Sequence, residues 1–197
     1  INTYNASVDM DLLSECLQSF YISTGLPTSF ADENGRFLLS FGRDCTQCQV
    51  CSYVTGADHQ RDCVNTHLYG MAQAQRFGGK YIYFCPGGLN FIVSPVLSQQ
   101  ERLYAKAGPF LMVDSDDFIR YDMVDLLKIP QEDIDSIAPF IETIPYVEPA
   151  KVDKLATLFF MSVGFVNNIN LYNEMLKSRE ASEIQGFIGE FVKTFKD

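Results

Sequence analysis

The stretch "KYIYFCPGGLNFIVSPVL", Lys80 to Leu97, decides the fold. Two apolar runs rich in aromatic and β-branched residues flank Pro86-Gly87-Gly88, which reads as a turn. A third run, "RLYAKAGPFLMV" from Arg102 to Val113, follows after "SQQE". Connections this short join antiparallel neighbours, because a parallel return needs a long crossover. The stretch therefore predicts three consecutive antiparallel strands.

Upstream, "HQRDCVNTHLYGMAQAQRF" predicts a helix beginning near Asp58 and ending at Gly78-Gly79. Before it, "TSFAD" and "RFLLSF" flank the Asn34-Gly35 turn, a strong hairpin signal. The first element is a helix capped by Ser7, with Asp9 and Asp11 at the positive end of its dipole. Its apolar face is Met10, Leu13, Leu17 and Phe20, and it stops at Gly25 and Pro27. The order strand-strand-helix-strand-strand-strand predicts an α+β fold. It is a five-stranded antiparallel sheet with an inserted helical segment, the layout of PAS-like and GAF-like sensor folds.

Downstream, residues 115–147 read as helical and acidic, with Pro130 and Pro149 at first helical positions. A long helix over Ala150 to Lys177 carries two apolar stripes. One runs Val152, Leu155, Phe159, Ser162, Val166, Ile169, Asn173 and Leu176; the other runs Leu158, Met161, Phe165, Asn168, Tyr172 and Met175. Two stripes fit two partners, the domain itself and a second subunit of a homodimer. They equally fit a helix buried on both sides by its own domain. After "KSREAS", Ser182 and Gln185 form a capping box for a last helix with Ile184, Phe187, Phe191 and Phe195 on its apolar side. This divides the chain into a PAS-like sensor domain, 1–147, and a helical signalling and dimerisation extension, 148–197.

Composition narrows the function. The 197 residues are 47% hydrophobic and 13% aromatic, enough for a real core. The longest apolar run, "LATLFFMSVGFV" from Leu155, falls short of the ~20 residues that span a bilayer. No signal peptide is visible after Ile1, so the expected location is cytoplasmic. A formal charge of −10 without clustered Lys or Arg argues against direct nucleic-acid contact by these residues.

Five thiols fall between "CTQCQVC" (Cys45, Cys48, Cys51), Cys63 and Cys85. Three readings stand. Structural disulfides suit small secreted scaffolds more than a cored chain. A metal site would draw on Cys45, Cys48, Cys51, Cys63, His67 and Cys85. The two-residue spacings suit zinc, and C-x2-C-x2-C with the later Cys85-Pro86 partly matches iron–sulfur ligation. Plain burial of free thiols is the third, and it suits Cys16 on the apolar side of the first helix. A reversible thiol redox sensor is the functional rival of the metal site. Cys63 and His67, four apart on a helix, serve ligation as well as a thiolate–imidazolium pair, and with only two histidines no catalytic motif is present, so the chain is not read as an enzyme.

Strand alternation nominates Phe30, Phe37, Tyr81, Tyr83, Phe91 and Val93 as one lining set, with Tyr53 and Tyr69 reaching in from the insert. A tyrosine offers an apolar ring and one hydrogen bond, suited to a small alcohol or aldehyde. The competing reading is ordinary aromatic core.

The order of these pieces resembles the PocR sensory-domain family over about Asp9 to Val113. The resemblance rests on Thr24-Gly25 ending the first helix, the Asn34-Gly35 turn, "GADHQRDCVNTH" with Cys63, "YFCPGGL" and the later Pro95-Val96 and Gly108. It implies a PAS-like ligand-sensing module preceding an AraC-type DNA-binding domain or a histidine kinase. It implies a small hydrocarbon-derived effector such as a short diol or alcohol. It also implies shared cysteines near Cys45 or Cys48, Cys63 and Cys85; Cys51 departs from that pattern.

Overall fold

The computed structural model describes residues 8–42, 50, 53, 59–97 and 102–178, with backbone alone at 59–60 and 168–178. Five strands form one antiparallel sheet: β1 (Thr28–Ala31), β2 (Phe37–Phe41), β3 (Tyr81–Phe84), β4 (Asn90–Val96) and β5 (Leu103–Phe110), in the order β2-β1-β5-β4-β3. The expected α+β sensor layout is what forms. Helix α1 (Met10–Thr24) precedes the sheet and α2 (His59–Arg76) is inserted between β2 and β3. After β5 come α3 (Ser115–Asp117), which continues as a π-helix (Phe118–Leu126), then α4 (Gln131–Ile141) and α5 (Pro149–Ser178).

Local chemistry explains the boundaries of α1. The Asp9 carboxylate accepts from the Leu12 amide at 3.0 Å, so Asp9 is the cap; Ser7 lies outside the described residues. The helix ends where Gly25 turns left-handed at φ 74° and its N–H donates to Tyr21 O.

The sheet separates two apolar layers. On one face Leu13, Leu17 and Phe20 of α1 and Val152, Ala156, Phe159, Val163 and Val166 of α5 pack on Phe30, Ile92, Val96 and Ala105. On the other, Met71 and Ala74 of α2, Phe118 and Met123 of the π-helix and Ile137 of α4 pack on Ala31, Tyr83, Phe91, Val93 and Tyr104. Period-two alternation makes the division, since neighbours Phe91 and Ile92 point to opposite layers.

One irregularity changes the expected lining set. Phe30 pairs with Leu39 but Ala31 pairs with Phe37, so Leu38 is bulged out of register. The bulge inverts the phase of β2. Phe37 faces the α2 layer, whereas Phe30 faces α1 and α5. Phe30, paired with Ala105 on the α1 and α5 side, does not line the face of Tyr83 and Phe91, and the bulge brings Phe37 onto that face.

The first stripe of α5 is the buried one as far as the described side chains extend, and Leu158, Met161 and Phe165 of the second are 54%, 61% and 54% exposed. Two polar pins fix α5 to the sheet. Lys80 Nζ, just before β3, donates to Asp153 and Thr157 at 2.7 Å each. Asn167 accepts from Leu97 N, just past β4, at 2.9 Å and donates to Pro95 O, within β4, at 3.3 Å.

Candidate functional site

The covered face beneath α2 is an aromatic wall. Alternation along β3 sends Tyr81 and Tyr83 to it, and cross-strand pairing sets Phe91 opposite Tyr83. Phe77, Tyr81, Tyr83 and Phe91 form a ladder of near-parallel rings, with successive centroids 6.1, 6.3 and 5.7 Å apart.

Helix α2 lays polar groups onto this wall. His67 is 2% exposed, edge-on to Phe91 with centroids 4.8 Å apart. Its Nδ1 and the Tyr83 hydroxyl share a 2.6 Å hydrogen bond. In the tautomer that lets Tyr83 donate, the ring proton sits on Nε2, facing Cys63 Sγ 3.4 Å away. Cys63 and His67 are one turn apart, so both lie on one helix face. Gly70, a turn further on, brings the helix close: a Cβ there would stand 2.7 Å from the Tyr83 ring.

On the next strand Lys106 is fully buried on the same face. Its Nζ lies 4.6 Å from the Phe37 ring centroid and 5.5 Å from that of Phe91. The cluster thus joins an ammonium, an imidazole, a phenol and a thiol over apolar rings, the composition of a small-molecule site. Sequence reasoning passed over Lys106. The available signal was a single charge inside "LYAKAGPF", a run otherwise free of charge, in a strand with both faces covered.

Cys85 is buried at the end of β3, its amide donating to Leu89 O across the Pro86-Gly87-Gly88 turn. Val50, between Cys48 and Cys51, is fully buried against that turn; a Cβ on Gly87 would meet it at 2.7 Å and Cys85 Sγ at 3.7 Å. Cys45, Cys48 and Cys51 lie outside the described residues, and among the described residues no three metal-ligating side chains converge. Tyr69 is 58% exposed and Tyr53 39% exposed, so neither is packed into the wall. Cys16 lies away from it, in an open groove between α1 and α5. Burial, and then the Glu15 charge, push its thiol up from its ordinary value, which disfavours the reactive thiolate.

Of the expected lining residues, Phe37, Tyr81, Tyr83 and Phe91 are thus brought together, with Cys63 and His67 beside them. Among the described residues, no helix is long and apolar enough to cross a membrane. No curated protein and no solved structure matches the chain significantly. The sequence profile described as the sensory domain found in PocR matches residues 6–171, a span that takes in all five strands and α1 through most of α5. The chain belongs to the PocR sensory-domain family.

Proposed function

We propose that this chain is the sensor module of a bacterial transcription regulator of the AraC type. It binds a small hydroxylated or carbonyl-bearing organic molecule at the aromatic face under α2. The observation that carries the reading is the buried Tyr83–His67 hydrogen bond set into the ring ladder. Polar groups withdrawn from water are costly, and a pair held between rings presents a small alcohol or aldehyde with both donor and acceptor. Binding acts by differential affinity for two arrangements of the α2 layer. The extension 148–197 carries the change onward, through the second stripe of α5, to a second copy and a DNA-binding domain.

The test is a thermal-shift and calorimetric panel of short alcohols, diols, aldehydes and hydroxy acids on wild type and Tyr83→Phe. A saturable rise in Tm with wild type, with affinity reduced about tenfold by the lost hydrogen bond, is expected. No shift with any compound of the panel overturns the reading.

A second reading has its own observation. The 3.4 Å between Cys63 Sγ and His67 Nε2 suits two ligands of one tetrahedral zinc, whose bonds are about 2.0–2.3 Å. Tyr83 on the other ring nitrogen supplies the outer-shell hydrogen bond that such a histidine requires. Cys85 and the thiols at Cys45, Cys48 and Cys51 are the further ligands proposed, for zinc or an iron–sulfur cluster. Anoxic purification with elemental analysis and an absorption spectrum decides it. One metal per chain, lost in Cys63→Ser, supports ligation. Metal-free protein whose thiol count falls reversibly with oxidant supports a redox sensor instead.

A further inference from the structure

The outer face shared by α1 and α5 is charged at its two ends and apolar between them. Phe20 of α1 is edge-on to Phe159 of α5, while Ser23 and Thr24 stand beside Leu155 and Lys151, so α1 runs antiparallel to α5. Equal rise per residue then sets Glu15 and Asp11 about level with residues 164 and 168 of α5. Both carboxylates are exposed, and α1 carries no Lys or Arg. At the opposite end, Lys151, Lys154, Leu158, Met161 and Phe165 follow at steps of three, four, three and four. The two exposed lysines therefore continue the exposed stripe toward the start of α5. Their ion-pair neighbours on the same helix, Glu148 and Asp153, are themselves exposed, and such pairs are weak in water. Between the charged ends lies an open groove of about 470 Å³, lined by Leu12, Cys16 and Phe20 of α1 and by Leu158 and Ser162 of α5. Leu158 belongs to both the groove and the stripe.

Resting on the reading that a second copy of the chain covers the exposed stripe, we propose that the two copies pair antiparallel, about a two-fold axis near residue 160 of α5. Leu158 and Met161 of each copy enter the groove between α1 and α5 of the other. A two-fold contact must be self-complementary, since each patch meets its own copy turned around. Turned about residue 160, the acidic end of one face, Asp11 and Glu15, meets the basic end of the other, Lys151 and Lys154. The apolar middle meets itself. A parallel pairing stacks Lys151 and Lys154 on their own copies, like charge on like, and leaves the acidic end of α1 without a cationic partner across the contact. Antiparallel pairing also fixes an output geometry. About 18 residues of helix separate the axis from Ser178, so the two ends of α5 emerge on opposite sides, roughly 50 Å apart.

Charge reversal tests the pairing, with dimer dissociation of the whole chain followed by sedimentation at low salt. Asp11→Lys with Glu15→Lys is expected to weaken the dimer about tenfold, and Lys151→Glu with Lys154→Glu to weaken it by a similar factor. All four together are expected to restore wild-type affinity. These positions are exposed, so Tm at low concentration should hold in every variant. In a mixture of isotopically light and heavy wild-type chains, a zero-length carbodiimide is expected to join Asp11 or Glu15 of one copy to Lys151 or Lys154 of the other. Parallel pairing gives the opposite pattern: reversing the lysines alone changes nothing, because Glu on Glu repels as Lys on Lys does, and the fourfold variant rescues nothing. That pattern overturns the antiparallel pairing and leaves a second copy on the stripe standing. A wild-type chain that stays monomeric at every concentration sinks both.

Discussion

His67 and Tyr83 show how burial converts a single hydrogen bond into a structural commitment. Removing the phenol oxygen leaves an imidazole nitrogen buried without its acceptor or donor, a loss of about 1–3 kcal/mol. Tyr83→Phe should therefore lower the unfolding free energy by that amount, read as a lower urea midpoint with an unchanged m-value. Gly70→Ala should cost a similar ~1–3 kcal/mol for a different reason, since the added methyl drives into the Tyr83 ring. Asp122 on the π-helix gives a pH signature. Partial burial raises its pKa in the fold above the unfolded value near ~4. A raised carboxylate pKa means that the folded state binds the proton more tightly. Stability from this site is then fully present below the unfolded value and lost as pH rises through the folded one. Asp122→Asn should raise Tm at neutral pH, with the gain shrinking as pH falls through that window; an equal gain at all pH values would refute the assignment. At this scale the sequence named His67 and Tyr83 but kept them apart, one as a metal ligand and one as lining. Their meeting depends on α2 crossing β3, which no local pattern encodes. Lys106 was missed because strand alternation reads apolar faces and says nothing about which buried position tolerates a charge.

Elements were more legible than sites. The hairpin turn at Asn34-Gly35, the glycine end of α1 and the three strands from Tyr81 onward all follow from turn chemistry and period, and all form where expected. The bulge at Leu38 did not follow from them: an extra residue inside a short strand leaves the apolar count intact and merely inverts its phase. That single residue moved Phe37 and Phe30 to opposite faces. The π-helix was read only as helix, because its wider turn has no composition of its own. For α5, the two stripes were visible and their fates were not. Phe159→Ala should cost about 3–5 kcal/mol, since its side chain is fully buried and edge-on to Phe20. Phe165→Ser, on the exposed stripe, should change the stability of the isolated chain by less than about 0.5 kcal/mol. Paired denaturation curves check both, and equal losses would mean that the stripes had been assigned the wrong way round.

For the whole molecule, the sheet divides labour. One face holds α1 and α5 in an apolar layer, and the other carries the polar cluster under α2. Leu158, Met161 and Phe165 continue in the sequence as Asn168, Tyr172 and Met175 at alternating three- and four-residue steps, the spacing that a two-helix coiled coil would need. A homodimer through this seam predicts a molar mass by light scattering twice that of the chain. Met161→Glu should return it to one chain without lowering Tm at low concentration. A monomer at all concentrations for the wild type would rule the seam out.

The two pins on α5 have a mechanical consequence. A rod of 30 residues, about 45 Å long, is bolted near one end by Lys80 and further along by Asn167, at the open end of the β3–β4 hairpin, one bolt to the lead-in of β3 and the other to the exit of β4. Eleven residues, roughly 16 Å of helix, run on past the second bolt to Ser178. A slide of β3 against β4 would turn the rod about its bolts and displace the turn at Ser178 in proportion to the overhang. A ligand that slid one strand against the other would, through such a lever, be felt several times its own length away.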